Sequence, residues 1–344
     1  MSQLPGMPLS SLQLWNRRIG DDVMRNNVSI EEAVTLLLDI TKSVSPTLVP
    51  LWHAASRVLC EDILANRYVP PFDRSAMDGY AVRSADAETA SLYHPLMLKV
   101  VDSSKAAVSP ASCSKISTGD PIPHWADAVV QYEETQRSED QIKIGRPLRP
   151  GSNVVPRGED IQPGDLIARR GLIINAPLAA VFGGLGMNMI PVYRIVKVAL
   201  LITGDDLVNP SKELPPGKVF NSNLYGLAAR CQELGADPVN LGIVSDNAKI
   251  VASRISAGLE LADIVVTTGG ISVDESDVVV EALRKAGTEL LFQRVAMKPG
   301  SPTLAATNHG KVIIGLSGNP AAAMISFEMI VVPLIKRLMG LQSV

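Results

Sequence analysis

The spacing of apolar and polar positions changes character along the chain, and each change marks a region. Residues 1–28 carry little periodicity and predict at most one helix around Leu12–Arg18. The next run, "IEEAVTLLLDITKSV", repeats apolar residues at helical spacing. Ser29 precedes it and Glu32 stands three residues on, the pattern of a capping box. "PTLVPLWHAASRVLCEDILANRYVP" then predicts a short extended piece and a further helix.

From Pro70 to about Asp160 the runs become short and alternating. "LMLKVVDS", "ADAVVQYEET" and "DQIKIGRPL" sit between Gly, Pro, Ser and Asp turns, which predicts a β-rich region. "PPFDRSAMDGYAV" opens it, a Pro/Asp/Gly turn leading into a strand near Tyr80. Gly171 to Tyr193 is uncharged and long enough to cross a bilayer. Its prolines, asparagines and glycines divide it instead into a strand, a helix at "APLAAVFGGLG" and another strand. From Val196 onward, continuous apolar strands ("VKVALLI", "PVNLGIV", "ADIVVTT", "KVIIGL") alternate with amphipathic helices. Such strands are buried on both faces, so they predict a parallel sheet covered by helices. No tandem repeat or low-complexity segment interrupts the pattern.

A length of 344 residues predicts two or three domains, at roughly 100–200 residues each. Hydrophobic residues make up 46% and charged residues 19%, a globular balance. The net charge is -3 with no polybasic run, which argues against nucleic acid and anionic membrane as partners. Cys60, Cys113 and Cys231 are far apart with no CxxC pair, so a zinc site or disulfide scaffold is not expected and reduced thiols are. The start lacks a continuous apolar stretch of the secretory kind, so a cytoplasmic protein is expected.

In an open parallel sheet, ligands bind outside the carboxyl ends of the strands. The four strands end in "TGDD", "SDN", "TTGGISVDESD" and "LSGNP". Gly269, Gly270 and Gly318 let backbone N–H groups approach a ligand, and helices start directly afterwards. That combination suits phosphate or another oxyanion. Asp205, Asp206, Asp246, Asp274 and Asp277 place carboxylates beside it. Carboxylates facing phosphate imply a bridging Mg²⁺, and Lys298 in "MKPGSP" is the candidate cation for an oxyanion. Blander roles compete: Asn221 and Asn223 suit helix caps, and Asp277 suits an acidic first turn. The four histidines are scattered without metal spacing, and no GxSxG, HExxH or P-loop motif is present.

Several stretches, in order, resemble one family. They are "PPFDRSAMDGYAV", "STGDPIPHWADAVVQYEE", "GSNVVPRGEDIQPGD", "VALLITGDDL", "NSNLYGLAARCQELGADPVNLGIVSDN", "DIVVTTGGISVDESD", "VAMKPGSP" and "GLSGNPAAAMISF". Over about residues 30–340 the chain resembles the molybdopterin molybdenumtransferases, the MoeA family that includes the gephyrin E domain. The resemblance implies an α/β multidomain protein. A MogA-like molybdopterin-binding α/β domain would occupy residues 195–344 and a β-rich domain residues 70–160. A helical linking domain would be built from 29–69 and 161–194, with 1–28 as an extension.

It further implies Mg²⁺-dependent insertion of molybdate into adenylylated molybdopterin, with release of AMP. A homodimer is implied, in which the "SAMDG" turn of one subunit faces the α/β crevice of the other, and a molybdopterin adenylyltransferase is the implied upstream partner. Carried over by position, Asp78, Asp206, Asp246, Asp277 and Lys298 are the implied catalytic residues. Asp206, Asp246 and Asp277 would hold the metal. Ser75, Thr203, Gly204, Gly269, Gly270, Ser272, Gly318 and Asn319 would hold the pterin substrate. Thr118 and Gly119 match "TGAP", and Arg157 with Asp160 matches "RRGED".

The sequence departs from the family pattern at identifiable places. Asp206 replaces the glutamate of "TGDEL", Asp274 the glycine of "GGVSVG", and Ser301 the second lysine of "KPGKP". Arg294 and Ser317 stand where lysine and proline are common, and the sequence stops at Val344, before the small C-terminal β domain usual in the family. These departures leave a second reading open, a molybdopterin-binding paralogue acting as carrier or regulator. A CinA-like nucleotide-processing enzyme is a third, against which the match through the β-rich region argues.

Overall fold

The computed structural model describes residues 27–102, 109–271 and 277–341. The expected helix around Leu12–Arg18, Ser272 and Asp274 lie outside them. The chain divides into two compact units: Asp62–Arg169 with Ala176–Asn188, and Met1–Glu61 with Arg170–Asn175 and Met189–Val344.

The second unit opens on helix α1 (Ile30–Ile40). Its capping box is formed as the sequence predicts: Glu32 N–H donates to Ser29 Oγ at 3.1 Å, and Ser29 N–H donates to Glu32 Oε2 at 2.8 Å. The apolar face buries Ala33 and Leu37 in the same cluster as Leu334 and Leu338. The following segment differs from expectation. Pro46–Pro50 is extended and pairs antiparallel with Met189–Tyr193. A single 3-10 turn, Leu51–His53, follows, and no α-helix forms between residues 51 and 69. Val58 and Leu59 bridge instead to Ile173 and Val192. Their apolar spacing fits a helix or an extended chain equally, and strand partners distant in sequence decide for the latter.

The β-rich unit carries a six-stranded sheet. Its strands are β1 (Gly79–Val82), β2 (Leu96–Val100), β3 (Ser112–Ile116), β4 (Ala128–Gln131), β5 (Thr135–Ser138) and β6 (Gln141–Ile144). The spatial order is β4-β1-β3-β2-β6-β5. All neighbours are antiparallel except β2 and β3. Leu98, Ile142 and Ile144 point into the core with Tyr80, Val82 and Val130, while Gln141 and Lys99 alternate outward. Helix α2 (Ala176–Gly184) belongs to this unit. No helix among the described residues is long and apolar enough to cross a membrane.

The α/β sheet contains β7 (Lys197–Thr203), β8 (Asp237–Val244), β9 (Ile264–Thr268), β10 (Glu289–Phe292), β11 (Leu304–Asn308) and β12 (Lys311–Leu316). Its order is β8-β7-β9-β12-β11-β10. The first four are the predicted parallel strands. β10 and β11 extend the sheet in antiparallel pairing, which the sequence reading did not foresee. Helices α3 (Asn223–Glu233), α4 (Ala248–Leu261), α5 (Val278–Lys285), α6 (Pro320–Ser326) and α7 (Val332–Leu338) complete the unit. Buried residues fall into one cluster on each face. Val198, Leu200 and Ile202 of β7 lie in one, Ala199 and Leu201 in the other.

Between α6 and α7 the helical chain is interrupted by a π turn at Phe327–Val331. Pro333 has no N–H for the Met329 carbonyl, so the ladder widens there. Arg230 of α3 braces the turn, donating to both oxygens of Glu328 at 2.6 and 3.2 Å. Cys113 and Cys231 are buried, and burial pushes their thiols up to about 12, which keeps them protonated and unreactive.

Candidate functional site

The carboxyl ends of β7, β9 and β12 meet at their loops. Gly269 carries φ +86, and a Cβ there would lie 2.1 Å from the Thr203 carbonyl oxygen. Only glycine lets the β9 loop lie this close to the end of β7. Gly270 follows at φ +64, and a Cβ there would meet Thr203 Oγ1 at 2.8 Å and Asp246 Oδ1 at 3.7 Å. A Cβ on Gly318, beyond β12, would touch Gly269 Cα at 3.5 Å. Thr203, Gly204, Gly269, Gly270 and Gly318 are thus brought together.

The acidic loops sit alongside. Asp246 N–H approaches Asp205 Oδ1 at 3.4 Å, joining the loops after β7 and β8. Asp206 Oδ1 folds back to 3.0 Å from the Cβ position of Gly204. Lys218 Nζ donates to the Asp205 carbonyl at 2.7 Å, placing a cation at the rim. Asp205, Asp206 and Asp246 are exposed.

The expected trio of metal ligands, Asp206, Asp246 and Asp277, is not assembled as a cage. Among the described residues no three His, Cys, Asp or Glu side chains converge to hold an ion. Asp277 caps α5, accepting from Val279 N–H at 3.0 Å. Asn319 caps α6 by accepting from Ala322 N–H at 3.1 Å, and Asn247 caps α4. These caps take up N–H groups of the first turns, and α6 begins with Pro320, which has no N–H, so the helix starts contribute chiefly their positive dipole ends.

Thr203 is 2% exposed, and its Oγ1 has no hydrogen-bond partner among the described residues. An unpartnered buried hydroxyl is costly, and this one faces the Gly269–Gly270 turn. Lys298 is exposed, on a loop held against α6. Thr303 Oγ1 donates to the Gly300 carbonyl at 2.7 Å and lies 3.0 Å from Ser326 Oγ.

Asp78 and Ser75 lie in the β-rich unit, where the turn is built with neighbouring loops. Asp78 Oδ1 accepts from Thr118 N–H at 2.7 Å and from Thr118 Oγ1 at 3.1 Å. Gly119 N–H donates to the Ser75 carbonyl at 2.8 Å, and Arg157 N–H donates to Asp73 Oδ1 at 2.7 Å. "SAMDG", "STGD" and "PRGED" thus form one constellation. Ser75, expected to face a ligand, is 1% exposed. Its hydroxyl donates to the Met77 carbonyl at 2.6 Å, so it holds the turn. Gly79 lies in β1, where a Cβ would strike the Val130 carbonyl oxygen at 2.0 Å.

Residues 28–186 match the MoeA N-terminal region (domain I and II), and residues 199–337 match a family described as a probable molybdopterin binding domain. The molybdopterin molybdenumtransferase of Bacillus subtilis is 36% identical over 322 residues, covering 91% of this chain and 75% of the relative. The chain belongs to the molybdopterin molybdenumtransferase (MoeA) family. The Staphylococcus aureus (strain Mu50) enzyme of the same name is 34% identical, over 92% of this chain and 77% of its own length. A crystal structure of the Pyrococcus horikoshii molybdopterin biosynthesis MoeA protein superposes with a TM-score of 0.83 at 32% identity, covering 91% of this chain and 80% of that one.

The sequence reading missed one feature of this crevice. Asn223, read as a helix cap, is a cross-link: its Nδ2 donates to Thr268 Oγ1 at 3.2 Å and to the Gly318 carbonyl at 3.0 Å. The capping contact comes from Asn221, whose Oδ1 accepts from Leu224 N–H at 3.2 Å. The "NSN" triplet between a strand and a helix was the available signal, but it does not say which asparagine faces which way.

Proposed function

We propose that this chain inserts molybdate into adenylylated molybdopterin and releases AMP. The observation that carries the reading is the crevice itself: the unpartnered Thr203 hydroxyl, the Gly269–Gly270 turn and the α6 start meet beside exposed carboxylates. The Gly270 backbone and the positive end of α6 favour the phosphates of the substrate, and Thr203 Oγ1 gains a partner there. Lys298 holds molybdate near the dithiolene sulfurs, so that the reacting groups meet in fixed orientation.

Mg²⁺ fits the donor set without a protein cage, because it takes one or two carboxylates plus substrate phosphates and keeps several waters. Asp246 is the first candidate ligand, since its Oδ1 lies 3.7 Å from the Cβ position of Gly270. Asp205 or Asp206 is the second. The ion would neutralise phosphate charge as the anhydride breaks. Membership of the family is what motivates three further parts of the proposal: a homodimer in which the Asp78 turn reaches the partner subunit's crevice, a cytoplasmic location, and supply of substrate by a molybdopterin adenylyltransferase.

The test is incubation of purified protein with adenylylated molybdopterin, Mg²⁺ and molybdate. AMP release together with active cofactor supports the reading. Tight pterin binding with no AMP at any molybdate level refutes it and leaves the carrier reading, which Ser301 in place of a lysine favours. Mixing Asp78→Ala and Asp246→Ala subunits tests the dimer. Recovery of activity supports a shared site, and none refutes it.

A further inference from the structure

We infer that Asn223 is a positioning residue for the ligand loops, a role that rests on the function proposed above. Asn223 starts α3 and is half-buried. Its side-chain amide reaches across to two separate loops, Thr268 Oγ1 at the end of β9 (3.2 Å) and the Gly318 carbonyl beyond β12 (3.0 Å). A carbonyl oxygen only accepts, so the group facing Gly318 is the NH₂. Thr268 directly precedes Gly269, and Gly318 directly precedes Asn319 at the start of α6.

Each loop needs this tie for a different reason. The Gly269–Gly270 turn is held to β12 by the Gly269 N–H to Leu316 carbonyl bond at 3.3 Å, and its two left-handed glycines are conformationally permissive. The Gly318 loop is exposed, and its backbone carbonyl receives the Asn223 amide. One planar amide with two N–H groups fixes both loops relative to a rigid helix. The spacing between the Gly269–Gly270 turn and the Gly318 loop is thereby set before ligand arrives, which removes an ordering penalty from binding.

The bland alternative is a cap for α3. Asparagine and aspartate cap helices about equally well, so a cap predicts that Asn223→Asp is harmless. The positioning role predicts the opposite. A carboxylate keeps the shape but has no hydrogen for the Gly318 carbonyl, and it sets two oxygens against each other.

The experiment compares wild type, Asn223→Asp and Asn223→Ala by two readouts. Backbone amide hydrogen exchange is followed at residues 268–271 and 317–319, with α3 as internal reference. Affinity for adenylylated molybdopterin is measured by calorimetry. Faster exchange in both loops with α3 protection retained, and about tenfold weaker binding for Asn223→Asp, is the expected result. Unchanged loop exchange in Asn223→Asp overturns the inference. Faster exchange with unchanged affinity also overturns it, since the loops then need no fixing. Failure of wild type to bind the pterin rejects the proposed function instead, and loop exchange still decides whether Asn223 ties the loops. If Asn223→Ala unfolds, the isosteric Asp variant carries the test.

Discussion

Replacing Gly269 with alanine tests the central geometric feature of the crevice. The new Cβ would stand 2.1 Å from the Thr203 carbonyl oxygen and 3.1 Å from its carbon. Ordinary C···O contacts are about 3.3 Å or longer. The neighbour is backbone within a buried parallel strand, so it has no rotamer by which to yield. The substitution therefore forces the loop away by about 1 Å. Held in place, the residue costs about 1–2 kcal/mol for a left-handed alanine and about 1–3 kcal/mol for overpacking. If the loop retreats, the Gly269 N–H to Leu316 carbonyl bond at 3.3 Å is lost, for about 1 kcal/mol, and the amides leave their positions. The assay is denaturant unfolding combined with pterin titration. Gly287→Ala is the control, because its φ is +67 but nothing lies within 4 Å of its Cβ position. Gly269→Ala should lose more stability than the control or bind at least about tenfold more weakly. A variant within about 0.5 kcal/mol of the control and with wild-type affinity refutes the close-packed loop.

Asp78→Ala removes the acceptor of two Thr118 hydrogen bonds at an exposed turn. It should lower molybdenum insertion while lowering stability by about 1–3 kcal/mol; a fully active variant removes Asp78 from the site. Ser29→Ala deletes the capping box of α1 and should destabilise by about 1 kcal/mol, read by denaturant midpoint. Asp263 is pushed up by burial, but the Arg194 fork at 2.8 and 2.5 Å, the Lys197 N–H and the charges of Arg194 and Lys311 outweigh this and hold it below its ordinary value of 3.8. A depressed carboxyl contributes stability above its unfolded value and loses it as pH falls through the folded one. Asp263→Asn should therefore flatten the loss of stability below about pH 4; an unchanged acid slope contradicts the pairing.

The sequence by itself determined much of this protein through local chemistry. The capping box at Ser29, the four parallel strands and the polar loops at their ends are all written in spacing and residue type. Gly269 and Gly270 were legible as sites of close approach because few other reasons place two glycines after a buried strand. What lay beyond reach depended on partners distant in the chain. The segment after Pro50 carries apolar residues that suit a helix, and only its bridges to Ile173 and Val192 make it extended. β10 and β11 needed the edge of β12 to become strands. Ser75, Asp277 and Asn319 looked alike as polar groups in loops, yet each side chain is engaged in holding its own turn or helix start. Asn223 looked like a cap and reaches across two loops instead. A side chain's hydrogen-bond capacity is set by its type, but its partners are set by the packing of elements that sequence order does not bring together.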